Sequence, residues 1–166
     1  EMKDMLVKTL GIILLLCGSL YLCVSFSLFE RRRLEQCEGF MLLIRHVKAQ
    51  ISCFHMPLSR IWQTFSSREL ERCGFLPALR ESGDFEKALD ACRGRIWLSE
   101  DEDALLRAFS GELGRSYLEE QMACCDYYIG ELERAYAQRR NERPMRTRLF
   151  RSLFITGGLM LVILLL

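Results

Sequence analysis

Histidine is scarce in this sequence: His46 and His55 are the two in 166 residues. General acid–base chemistry near neutral pH therefore has little to work with. The pair stands nine positions apart, on different sides of a predicted helix end, and His46 falls among core positions. No glycine-rich loop ends in Lys-Ser or Lys-Thr, so the backbone cradle of an ATPase is missing. Neither a Gly-x-Ser-x-Gly elbow nor a His-Glu-x-x-His pair occurs. Strand-period alternation is absent as well, which argues against a sheet. The net charge is only +1, so nothing overall points to nucleic acid or to an acidic substrate. On these absences the chain is expected to be no enzyme, to need no cofactor and to hold no metal.

Cysteine is plentiful, at eight residues, but lacks a CxxC pair. Cys17 and Cys23 lie in an apolar run, where cysteine behaves as a small apolar residue. Cys37, Cys53, Cys73, Cys92, Cys124 and Cys125 read as ordinary reduced thiols. Cys53 with His55, and the adjacent Cys124 and Cys125, are the material for a competing reading as a metal or redox sensor. No second half of a zinc motif follows at a useful spacing.

The sequence does have long uncharged runs at its ends. Residues 9–29 are 21 residues without a charge. At about 1.5 Å per residue they reach roughly 31 Å, matching a hydrocarbon core of about 30 Å. Arg31, Arg32 and Arg33 follow directly, which reads as a retained anchor rather than a cleaved signal. Residues 152–166 form a second run, which reaches about 27 Å when extended back over Leu149 to Arg151 with the arginine snorkelling. Arg139, Arg140, Arg143, Arg146, Arg148 and Arg151 lead into it. Basic residues beside membrane segments stay cytosolic, so both flanks place the middle of the chain in the cytosol. The membrane-flanking set is Arg31, Arg32, Arg33, Arg146, Arg148 and Arg151, suited to anionic membrane lipid. Gly11, Gly18 and Ser25 recur every seven residues, a small-residue stripe available for packing on the second helix or another subunit.

The expected fold is all-α: an antiparallel bundle of about six helices between two transmembrane helices. Residues 1–29 form the N-terminal anchor, 30–148 the cytosolic bundle and 149–166 the C-terminal membrane helix. Helical period runs through Phe40, Leu43, Ile44, Val47, Ile51 and Phe54. Pro57 suits a first turn before Leu58, Ile61, Trp62 and Phe65. A Gly and Pro interruption follows around positions 74–77. Asp84 caps a helix bearing Phe85, Ala88, Leu89 and Cys92. Ser99 with Glu102, and Ser116 with Glu119, form capping boxes for the last two, and Gly114 separates them. Positions 81–133 hold fourteen acids against five bases, a net of −9. Within this acidic lobe Glu100, Asp101, Glu102 and Asp103 are the candidate partner-binding residues, a docking face for a basic partner. Their plainer role is the charged first turn of a helix.

The layout resembles the stage III sporulation protein AB family of endospore-forming bacteria. The resemblance rests on FERRR at 29–33, LLIRHVKAQISCFHMPLSRIW at 42–62, LRAFSGELGRSYLEEQ at 106–121 and RLFRSLFITGGLMLVILLL at 148–166. The cysteine load and the preference for arginine are less typical of it, and Glu1 suggests a true start at Met2 or Met5. The resemblance implies a mother-cell membrane protein facing the engulfed forespore, in a channel-like complex. That family is similar to the cytosolic domain of type II secretion platform proteins. By that analogy the chain would be an adaptor joining a cytosolic secretion-type ATPase to other membrane subunits of the sporulation complex. A small pore built from the two terminal helices is the remaining alternative.

Overall fold

The computed structural model describes the backbone of residues 2–54, 56–115 and 117–165. It describes their side chains except at 2–10, 12, 15, 16, 143, 146, 147, 151, 161, 162, 164 and 165. Seven helices follow one another: α1 (Met2–Phe54), α2 (Leu58–Thr64), α3 (Arg68–Arg72), α4 (Phe75–Ser82), α5 (Phe85–Ala91), α6 (Glu100–Glu112) and α7 (Leu118–Leu165). No strand occurs among the described residues. The all-α expectation holds; the terminal runs are continuous with α1 and α7, which leaves five short or medium helices between these two long ones among the described residues. Two compact units divide the chain, Arg32–Arg139 and the paired ends Glu1–Arg31 with Arg140–Leu166.

Local chemistry sets most helix ends. Asp84 accepts hydrogen bonds from the Lys87 and Glu86 amides at 3.2 and 3.0 Å and so starts α5. Those amides hold its carboxyl below the usual carboxylate range. Ser99 and Glu102 form the foreseen capping box of α6. Gly114, at φ 79°, turns the chain after α6 as expected. The second foreseen box cannot be followed, because Ser116 lies outside the described residues. The interruption at 74–77 proves to be a junction between two short helices. Gly74, at φ 85°, is the N-cap of α4, and Pro77 sits in its first turn, where no intrahelical donor is lost.

The middle unit closes around aromatic rings. Phe85 is the hub, with centroids 5.1 Å from Phe75, 5.8 Å from Phe109, 6.3 Å from Trp62 and 6.4 Å from Phe40. Phe109 passes the chain of edge-to-face contacts on to Tyr128 at 5.6 Å. One side chain thereby joins α1, α2, α4 and α6, and a second reaches α7. Leu43, Ile44, Val47, Ile61, Leu106 and Leu132 are fully buried around them. Phe54 departs from the expected core face and is 68 % exposed at the end of α1. Between α1 and α7, Lys48 bonds both Asp126 oxygens at 2.5 and 2.6 Å, and Arg45 pairs with Glu133. These pairs are exposed and contribute little energy, but they mark the two helices as antiparallel neighbours.

In the terminal unit α1 and α7 also run antiparallel. Phe26 and Phe150 meet with centroids 4.3 Å apart, and Ser19 lies beside Gly158. The predicted stripe does not make this contact: Gly11 and Gly18 have nothing near the position of an added Cβ.

The two transmembrane helices are not found as such. Among the described residues no helix is long and apolar enough to cross a membrane. The apolar runs are not separate helices; they are the ends of α1 and α7, 53 and 48 residues long, each carrying many charges. Nor does a helix boundary stand near 148, since α7 continues through Pro144 and Arg148.

The hub position carries a direct prediction. Phe85→Ala removes one ring from contact with four helices and should cost about 3–5 kcal/mol. Chemical denaturation of the full chain followed by circular dichroism measures it; a loss below about 1 kcal/mol would mean the rings do not form one core.

Candidate functional site

The acidic first turn of α6 exists because two physical effects coincide there. Ser99 caps it, and its four acids meet the positive end of the helix. The four do not share one fate. Glu102 is fully buried: its Oε2 accepts from the Ser99 amide at 2.8 Å and from Arg139 Nη1 at 2.9 Å. Its other oxygen is buried, and the Cys37 thiol lies against the carboxylate. Asp103 turns sideways and accepts from Arg107 Nε at 2.8 Å. Arg107 also binds Asp90 at 2.8 Å and approaches Glu86 at 3.6 Å, which ties α5 to α6. Those carboxylates hold its guanidinium firmly protonated, above even its ordinary value. Glu100 and Asp101 remain exposed. Of the four predicted partner-binding residues, then, two present open carboxylates, one is shared with Arg107 and one is interior.

Part of the lobe's negative charge is met by bases brought from elsewhere in the sequence: Arg45 and Lys48 of α1 reach Glu133 and Asp126, and Arg139 of α7 reaches Glu102, while Arg134 pairs with Glu131 one turn before it. The i to i+4 pairing of Asp103 with Arg107 is visible in the sequence. The long-range partners are not.

The basic residues after the first apolar run are also put to structural use. Arg32 lies over the Trp97 ring with its guanidinium carbon 5.7 Å from the centroid. Arg33 donates to the Trp97 carbonyl at 2.9 Å. Arg31 and Arg148 are exposed, whereas the side chains of Arg146 and Arg151 lie outside the described residues.

The thiols and histidines do not assemble. Cys124 donates to Glu112 at 3.2 Å while its neighbour Cys125 is buried in the core. Burial pushes the Cys37 and Cys124 thiols up to about 12 and Cys125 to about 11, so none supplies thiolate near neutrality. Cys53 is exposed, and His55 lies outside the described residues. His46 lies 3.1 Å from the Thr64 hydroxyl and against Phe65, and burial lowers its pKa. Among the described residues no group of three or more His, Cys, Asp or Glu side chains is arranged to hold a metal ion.

A two-ended helical chain with a capped acidic turn at the start of α6 is the architecture to be compared with known families. Residues 8–166 match the family model for stage III sporulation protein AB. The chain belongs to that family. Membership suggests a role in sporulation and agrees with the resemblance carried by the terminal runs and the 42–62 and 106–121 segments. No match was found among curated proteins or among solved structures.

Two outcomes follow from the buried groups. Arg139→Ala leaves the Glu102 carboxylate uncompensated in the interior and should cost about 3–5 kcal/mol. Glu102→Gln keeps the cap and leaves Arg139, which is 16 % exposed, able to reach water, so its cost should be clearly smaller. Equal costs in urea titrations would mean that the pair is not a buried one. The raised thiols set an alkaline limit. In the unfolded chain they ionise near 9.0, before the folded thiols at about 11 to 12. Above pH 9 the unfolded state therefore binds fewer protons, and stability falls as pH rises. Each such thiol contributes a slope of up to about 1.4 kcal/mol per pH unit. Urea midpoints between pH 8 and 10.5 should decline, and less steeply in Cys37→Ala.

Proposed function

We propose that this family member is a non-enzymatic membrane adaptor of endospore formation, joining a cytosolic secretion-type ATPase to other membrane subunits of the complex. The observation that carries the sporulation role is the family match across residues 8–166. The adaptor reading is supported by the shape of the sequence: an uncharged run at each end, arginines beside both, and a helical unit between. The two runs anchor the chain in the mother-cell membrane around the forespore, with membrane lipid about the runs and Arg32–Arg139 in the cytosol. The absence of catalytic motifs from the sequence, with Cys124 engaged by Glu112 and Cys125 buried in the core, favours an adaptor over the metal or redox sensor. The ring-packed core of the middle unit likewise favours it over a pore.

The docking face is the open part of the acidic lobe, Glu100 and Asp101 with Asp103 at its side. Glu102 is no part of it. Charge steers a basic partner to such a face, and long-range attraction acts mainly on the rate of association.

Deleting the gene in the native spore former should abolish heat-resistant spores after engulfment. The intact chain should restore them, and residues 32–139 alone should not. Normal spore counts would remove the sporulation role. Within the intact chain, the double substitution Glu100→Lys, Asp101→Lys should weaken capture of the ATPase about tenfold, at a stability cost of only about 0.3–1 kcal/mol per charge from the helix end. Undiminished capture would place the ATPase on another face.

A further inference from the structure

Between α1, α3 and the loop after α5 lies an open cavity of about 190 Å³. Its charged lining is Arg32, Glu69, Arg72 and Arg95, and Gln36 and Trp97 complete it. Three guanidinium groups thus face one carboxylate. Glu69 is already paired with Arg72 at 3.3 Å. Among the described residues no carboxylate forms an ion pair with Arg32 or Arg95. An excess of two positive charges is left around a concave space.

The lining is held in place rather than loose. Gln36, only 5 % exposed, donates from Nε2 to the Arg95 carbonyl at 3.0 Å and accepts from the Trp97 amide at 2.8 Å. Arg33 holds the Trp97 carbonyl from the other side, and Arg32 rests over the indole. The loop bearing Arg95 and Trp97 is thereby stapled to α1 by a buried amide. The head of Arg95 packs where Gly74 has no side chain: a Cβ there would stand 3.1 Å from Nη1.

We propose that this cavity binds a phosphate-type anion, either the headgroup of an anionic phospholipid or a free phosphate, through Arg32, Arg72 and Arg95. A guanidinium presents a planar fork of donors that matches phosphate oxygens two at a time. A tetrahedral oxyanion has enough acceptors for three such forks, whereas one fork satisfies a carboxylate. The volume lies below the roughly 300–1,000 Å³ of sites that enclose whole metabolites, which suits a group of headgroup size. The site stands independently of the adaptor role, since none of its residues belongs to the acidic face.

The test uses the full chain in phosphatidylcholine nanodiscs, titrated with inorganic phosphate at constant ionic strength and read by tryptophan fluorescence. A saturable change is expected that matched chloride does not produce. Arg72→Gln with Arg95→Gln should weaken it about tenfold or more, and Arg115→Gln should leave it unchanged. Should the double variant lose its helical circular dichroism, Arg72→Gln alone carries the comparison, because that side chain is 55 % exposed. In nanodiscs containing phosphatidylglycerol, a fluorescence already shifted and deaf to added phosphate identifies the lipid headgroup as the ligand. An unshifted baseline with the full phosphate response identifies the soluble anion. No saturable response in either membrane, a response equalled by chloride, or one undiminished in the arginine variants would overturn the proposal.

Discussion

The middle unit turns on one carboxylate that has no exposure. A charge taken out of water is tolerated only when compensated, so the fold must bring Arg139 from α7 to Glu102 at the start of α6. The same carboxylate closes the capping box with Ser99 and lies beside Cys37 of α1. Three helices distant in sequence are therefore held to one point. Apolar contacts alone permit sliding, because one leucine can replace another along a helix face. A buried ion pair does not, and it sets which turn of α7 lies against α6.

Electrostatics elsewhere in the unit follow from that registration. Positions 81–133 carry a net of −9, a density that would repel itself if left exposed. Once α1 and α7 lie beside the lobe, their bases meet Asp126, Glu131, Glu133 and Glu102, and Arg107 gathers Asp90 and Asp103. Glu100 and Asp101 stay among the acids exposed on the lobe, together with Glu81, Glu119 and Glu120.

Periodicity made much of this legible. The apolar positions of α1, α2, α5 and α6 fall where i, i+3, i+4 spacing places them, and the caps at Asp84 and Ser99 were readable from residue type. Even the burial of Glu102 left a trace, since it stands four before Leu106 and seven before Phe109, on the apolar face of its helix. Reading the acids as a cluster hid that spacing. Three features were not legible. The break at 74–77 was foreseen, but the two short helices on either side of it, α3 and α4, were not, because segments of five and eight residues carry too little periodicity to read. The unbroken course of α7 through Pro144 defies the usual cost of proline in a helix. The cavity beside Trp97 joins residues from three elements separated by up to sixty-odd positions, and no local pattern announces it.

The preference for arginine, nineteen against four lysines, has a structural reason in the shortness of the connecting helices. A helix of five to eight residues has nearly as many terminal carbonyls without intrahelical donors as it has hydrogen bonds. Those carbonyls need donors that reach past the helix end. Arg80 supplies them to Trp62 and Phe65 at 3.3 and 2.7 Å while also meeting Glu71 at 2.9 Å. Arg33 gives a similar bond to the Trp97 carbonyl in the loop before α6. A lysine carries its charge at a single nitrogen and cannot spread donors across two carbonyls and a carboxylate in one plane. The arginines on the middle unit thus complete a fold built from short pieces. Two of them, Arg32 and Arg95, form no ion pair among the described residues, and these are the charges on which the proposed anion site draws.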